Sequence, residues 1–192
     1  MRVLLVLCCF CLGLSLAGQT VDHRTEIGAR MDDYARVMVD WQVDSILEFV
    51  EPKLFDLVPR EGMRKVFEST FNDPNMTMRF TELTVDSISP LFVHDSTEYA
   101  LVDYTASISM QMNDPTYQDT SFMKMMVGMM GSEEHRIDAE TNTLFLRSPK
   151  KLFALRHAAG EPWYVLEYNT DNPHMLNLLV PEPVQEYFDL KP

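Results

Sequence analysis

The stretch 34-YARVMVDWQVDSILEFVEPKLFDLVP-59 begins as a helix and then stops behaving as one. Its first residues continue a face set upstream. Ile27, Met31, Tyr34, Ala35 and Met38 recur at helical spacing, which predicts a first helix from about Asp22 to Val39. Asp40 suits a cap or turn. The pattern restarts in VDSILEFV, with Asp44 near its start, and must end before Pro52, because proline pushes the residue before it out of the helical region. The stretch therefore predicts a long helix, a tight break, a short helix that turns back, and an apolar run held between Pro52 and Pro59.

Beyond Pro59, PREGMRKVFESTF predicts a third helix with Met63, Val66, Phe67 and Phe71 on one side. After Asp73-Pro74 the period changes from helical to alternating: Met76, Met78 and Phe80 interleave with Thr77 and Arg79. The clearest strand is YALVDYTASISMQM. One face carries Ala100, Val102, Tyr104, Ala106, Ile108, Met110 and Met112, and the other carries mainly polar residues from Asp103 to Gln111, as expected of an antiparallel strand covered on one side. SFMKMMVGMMG reads as a helix closed by Gly131, since methionine favours helix and glycine suits the C-terminal cap. Three further strands are predicted in TLFLR, KLFALRH and WYVLEY, with turns at Ser148-Pro149 and at residues 159–162, and a short amphipathic helix follows around VQEYF. Phe67, Val102, Ile108 and Trp163 are the expected core anchors.

The N-terminus, MRVLLVLCCFCLGLSLAGQT, has one charge at Arg2, an apolar run from Val3 to Leu14, and small residues at Ser15, Ala17 and Gly18. This is the pattern of a secretory signal peptide over residues 1–18, and the run is short of the roughly 20 apolar residues a membrane span needs. One domain over residues 19–192 is expected to be secreted or periplasmic, with no stable membrane anchor. All three cysteines, Cys8, Cys9 and Cys11, fall in the leader, so the mature chain would have neither disulfides nor thiolate chemistry. With 16 Lys+Arg against 29 Asp+Glu, the net charge of −13 argues against nucleic acid and anionic membrane surfaces as partners.

The order helix, short helix, helix, antiparallel sheet resembles the nuclear-transport-factor-2-like superfamily, which includes ketosteroid isomerase and scytalone dehydratase. The words that carry the resemblance are Tyr34 on the first helix, WQVDSILEFV where those proteins place a turn and an apolar helix, and LFDLVP leading from it. The tail LLVPEPVQEYF and the turn from Gly160 to Trp163 are similar to exported bacterial members of the superfamily. The resemblance implies an α+β fold in which N-terminal helices pack against a strongly curved antiparallel sheet, a cystatin-like cone. The Met-rich helix and the short C-terminal helix would be additions to it. It further implies an apolar cone pocket drawing on Tyr34, Met38, Phe55, Tyr104, Ile108, Met110 and His157.

Carried over residue by residue, the isomerase chemistry asks for a helix-one tyrosine that polarises a carbonyl and a carboxylate base just before a proline. Tyr34 fits the first role. Val58 stands before Pro59 and takes no proton, while Asp56, two residues earlier, reaches the same side only if its segment is extended. Seven methionines between Met110 and Met130 are soft ligands suited to Cu(I), but methionine more often fills irregular core space. His23, His94, His135, His157 and His174 form no HxH or HExxH pair, so no metal site and no cofactor are expected. Three functions follow: an exported non-catalytic module binding a small apolar ligand or a partner, and forming a homodimer; a lyase or isomerase using Tyr34 with Asp56; or a methionine-based copper binder.

Overall fold

A computed structural model describes residues 22–132, 134–168 and 173–190; the leader read at residues 1–18 lies outside the described residues. Helix α1 (His23–Val39) begins at an Asp22 cap whose side chain accepts from the Arg24 N–H at 3.3 Å. Ile27, Met31, Tyr34, Val37 and Met38 form its buried stripe. The break after it is a Schellman turn, with the Gln42 N–H donating to Val37 C=O at 2.9 Å and the Trp41 N–H to Met38 C=O at 3.3 Å. That turn puts Trp41 at φ 55°, a left-handed position usually given to glycine. The indole stacks on Phe71 and meets Phe67 edge-on, and this packing offsets the backbone cost.

Helix α2 (Val43–Ile46) is a single turn, shorter than the periodicity of VDSILEFV predicts. Tertiary pairing takes the rest of that segment: Val50 bridges Val165 in parallel, the Val165 N–H donates to Phe49 C=O at 2.7 Å, and the Glu51 N–H donates to Val165 C=O at 3.0 Å. The apolar run between the prolines forms another turn of helix, α3 (Leu54–Leu57), so Asp56 does not lie on an extended segment. Helix α4 (Arg60–Phe71) follows from Pro59, whose fixed φ suits a helix start.

Among the described residues, six strands form one antiparallel sheet: β1 (Met76–Ile88), β2 (Phe92–His94), β3 (Thr97–Met112), β4 (Glu134–Asp138), β5 (Thr143–Arg156) and β6 (Tyr164–Glu167). Strands β3 and β5 are its centre. β1 and β2 share the outer edge of β3, and β4 and β6 share the outer edge of β5. β2 joins β3 through Asp95 and Ser96, both at positive φ, the backbone of a two-residue hairpin turn. β1 carries bulges between Phe80 and Glu82 and between Val85 and Ser87, which bend a strand and increase its twist.

The turn predicted at Ser148-Pro149 is absent, and TLFLR and KLFALRH are one strand, β5. Pro149 pairs opposite Thr105 and sits between the end of β4 pairing at Arg147 and the start of β6 pairing at Leu152. A residue without an N–H is accommodated there because that edge has no strand partner to lose.

Three apolar clusters hold the fold. One buries the α1 stripe and Ile46 against Ala100, Val102, Tyr104, Leu152, Ala154 and Val165. A second, on the opposite face, packs Tyr99, Phe153, Leu155 and Leu166 under the C-terminal helices α6 (Pro173–Leu179) and α7 (Glu182–Tyr187). The third joins Ile108, Met110, Met112, Leu144 and Leu146 to Met123 of helix α5 (Thr120–Met129). Of the expected anchors, Val102, Ile108 and Trp163 are buried and Phe67 is half-buried. No helix among the described residues is long and apolar enough to cross a membrane.

Candidate functional site

Tyr34 faces the sheet from the middle of α1, whose N-terminal half is held by arginine contacts. Toward the N-terminus, Arg30 donates to Trp163 C=O at 3.0 Å and to Glu48 C=O at 3.2 Å while its guanidinium lies over the Phe49 ring. Arg156, packed over the Trp163 indole, bonds Glu26 at 3.0 Å and Glu98 at 2.7 Å. These contacts tie α1 to the ends of β5 and β6, so the Tyr34 ring enters the interior at a set position.

Beneath Tyr34 is a cavity of about 320 Å³, at the low end of the roughly 300–1,000 Å³ typical of small-molecule sites. Its walls come from α2 (Ile46), the loop after it (Val50), α3 (Leu54), α4 (Met63, Val66, Phe67), β6 (Val165, Leu166) and α6 (Leu176, Leu179). Among the described residues, the polar groups in the wall are Tyr34 and Glu167. Val165 and Glu167 share a strand face by alternation, so the face of β6 that packs on α1 also turns a carboxyl into the cavity.

Behind Glu167 stands Tyr104 of β3, whose hydroxyl donates to Glu167 Oε1 at 2.6 Å. Lys150 lies opposite Tyr104 in register, and its ammonium donates to Met130 C=O at 3.3 Å. Glu167 is exposed where it borders the cavity, while its carboxyl is bonded on the other side to the hydroxyl of the buried Tyr104. Desolvation accordingly pushes its carboxyl up to about 7, against the downward pull of the Tyr104 hydrogen bond and the Lys150 charge. Burial, with the nearby Glu167 charge, raises both tyrosines well above the ordinary phenol value, so they remain hydroxyl groups. Among the described residues none hydrogen-bonds the Tyr34 hydroxyl, which borders the cavity.

The structure brings Tyr34 and Tyr104 together around Glu167, which the sequence reading passed over. Met38 is packed in the α1 cluster, and Phe55 lies under the Arg60 guanidinium; neither is in the cavity wall. Ile108 and Met110 belong to the α5 cluster. Asp56 is exposed on α3 and does not line the cavity. Of the seven methionines, Met110, Met112 and Met123 are buried together, and Met125 and Met129 are exposed. No group of three or more His, Cys, Asp or Glu that could hold a metal occurs among the described residues, and the side chain of His174 lies outside them.

His157 sits just past β5 in a second polar cluster. Its Nε2 donates to the Glu51 carboxylate at 3.0 and 3.1 Å, and its Nδ1 meets the Thr97 hydroxyl at 3.3 Å. Glu51, 1% exposed, also accepts from the Lys53 N–H at 3.3 Å. This cluster joins the loop after α2 to the ends of β3 and β5.

No protein-family model matches the chain, and no curated protein matches it. Among solved structures, the crystal structure of the intermembrane space region of the chloroplast protein ARC6 is similar, with a TM-score of 0.41 and 14% identity, covering 77% of this chain and 94% of that one.

Proposed function

We propose that this chain is an exported, non-catalytic binding module of the nuclear-transport-factor-2-like type, which holds a small, largely apolar ligand in the cavity under Tyr34. The observation that carries the reading is the cavity itself: about 320 Å³ of space, walled by aliphatic and aromatic side chains, with a polar corner at Tyr34 and Glu167. Unfilled apolar volume costs stability, and a site that keeps it beside oriented polar groups has the composition of a ligand site. Support for the cone reading comes from the element order, the two bulges in β1, and α1 lying across one sheet face.

The test is saturable stabilisation by small amphiphiles. A ligand at a hundred times its Kd should add about 2.7 kcal/mol to folding stability. Leu179→Trp, which places an indole in the cavity wall, should abolish the effect while leaving the far-ultraviolet circular dichroism unchanged. Equal stabilisation of wild type and Leu179→Trp would place the ligand elsewhere and overturn the reading.

A second reading, a lyase or isomerase, is favoured by one observation: a carboxyl pushed up to about 7 beside a phenol is poised for proton transfer at neutral pH. In this version Glu167 replaces Asp56 as the base. Turnover of an unsaturated ketone that is lost in both Glu167→Gln and Tyr34→Phe would establish catalysis; background rates in all three proteins would exclude it for that substrate class.

A further inference from the structure

We infer that the ligand of this cavity is a small primary or secondary amine, bound as the cation with its ammonium on Glu167 and the Tyr34 hydroxyl and its apolar body against the aliphatic walls. The inference rests on the binding-module reading and specifies what that module selects.

Glu167 accepts one hydrogen bond from a described side chain, the Tyr104 hydroxyl on Oε1, whereas a carboxylate has sites for about four. The ammonium opposite, that of Lys150, is engaged on Met130 C=O. An alkylammonium brings several N–H donors on one small centre, and its hydrogen bond to a carboxylate is charge-assisted, roughly twice as strong as a neutral one. The Tyr34 oxygen offers a second acceptor in the same wall, and the Phe67 ring adds an aromatic surface of the kind that attracts cations.

Other head groups fit less well. A ligand carboxylate would set like charges side by side at the Glu167 corner. A ketone or ether only accepts, and would leave the ionised Glu167 without a donor from the ligand. The net charge of −13 also draws cations toward the protein and repels anions before any contact forms. At about 30 Å³ per water-sized group, the space of about 320 Å³ holds about ten non-hydrogen atoms, the size of a six- to eight-carbon amine.

Carboxyl protonation gives the selectivity a pH signature. Among the described residues, the groups facing Glu167 are Tyr34 from α1, Tyr104 from β3 and Lys150 from β5; both phenols stay protonated, and the Glu167 carboxyl, at about 7, titrates in the neutral range. An alkylamine is fully protonated over that range, so its affinity should fall as the carboxyl takes up its proton, by up to about a hundredfold from pH 8 to pH 5.

The test is calorimetric titration of the full mature chain with hexylamine, hexan-1-ol and hexanoate at pH 8 and at pH 5. Hexylamine should bind at least tenfold tighter than hexan-1-ol at pH 8, with hexanoate weakest, and the preference should shrink at pH 5. Glu167→Gln should lose the preference for hexylamine over hexan-1-ol. Hexan-1-ol or hexanoate binding as tightly as hexylamine to the wild type would overturn the amine inference and leave the binding-module reading in place. An amine preference that survives in Glu167→Gln would likewise overturn it, as attraction to the acidic surface alone. Failure of all three probes to bind would overturn both.

Discussion

Two carboxylates are placed among protein atoms near the edge strand β6, and they are treated in opposite ways. Glu51 receives the His157 imidazole on both oxygens and the Lys53 N–H, and it is not among the residues lining the cavity under Tyr34. Glu167 receives one tyrosine and borders a cavity. A buried carboxylate whose acceptors are filled by protein ties segments together; one that reaches an apolar cavity with a single protein side chain bonded to it has capacity for a partner.

The largest expected effect concerns the element that supports both clusters. Leu152 is fully buried on β5, opposite Val102 on one side and Glu167 on the other. Leu152→Ala should cost about 2–5 kcal/mol, the range for truncating a buried leucine where the surroundings only partly collapse. Chemical denaturation measures it, and a loss under 1 kcal/mol would mean that the sheet beneath the cavity is loosely packed.

Next in size is the structural joint. His157→Ala leaves Glu51 buried with the Lys53 N–H as its remaining donor, and orphaning such a group should cost about 1–3 kcal/mol. Ligand affinity in the cavity should stay within twofold of wild type. A stability loss accompanied by a tenfold loss of binding would erase the distinction between the two carboxylates.

Much of the fold was legible because local patterns and tertiary demands agree. The α1 stripe, the alternation of β3 and the Met-rich helix α5 each carry their period over ten or more residues. The elements that were misread are those decided by neighbours. Ser148-Pro149 resembles a turn locally, and only the gap between β4 and β6 shows why a strand continues through it. VDSILEFV has helical spacing, but Val50 pairs with Val165 across the molecule. Asp95-Ser96 lacks the glycine that usually marks a two-residue hairpin, so β2 was missed. The candidate site was half legible. Tyr34 and Tyr104 stand out as polar residues on apolar faces, whereas Glu167 is the penultimate residue of WYVLEY, where both faces are apolar and alternation does not say which one turns inward. The fold answers this by placing Val165 against α1, and Glu167 follows it.

The third prediction concerns that residue. The Glu167 carboxyl is raised from 4.5 to about 7, so between those values the folded protein holds a proton that the unfolded chain has released. Stability from this group is therefore present below the unfolded value and lost as pH rises through the folded one. Glu167→Gln should be the more stable protein at pH 8, relative to wild type, and the difference should shrink toward pH 5. Parallel denaturation series at the two pH values measure it. A difference that grows toward pH 5 would show a carboxylate stabilised in its charged form, placing Glu167 in the same class as Glu51.

The smallest expected effect isolates the one hydrogen bond Glu167 receives from a described side chain. The Tyr104 hydroxyl bonds Oε1 at 2.6 Å and favours the charged form, pulling the carboxyl down against desolvation. Tyr104→Phe keeps the ring and removes that donor, so the Glu167 midpoint should move above about 7, and the pH-dependent loss of stability should shift upward with it. The packing cost should be slight, because a phenylalanine ring occupies the same place between α1 and the sheet. Carboxyl carbon shifts of Glu167, followed by nuclear magnetic resonance across pH 5 to 9, read the midpoint directly. An upward move would confirm that the carboxyl depends on one neighbour and has room for another. An unchanged midpoint would mean that water in the cavity replaces the phenol as donor; Glu167 would then already be satisfied without a ligand, and its contrast with Glu51 would be one of solvent against protein partners.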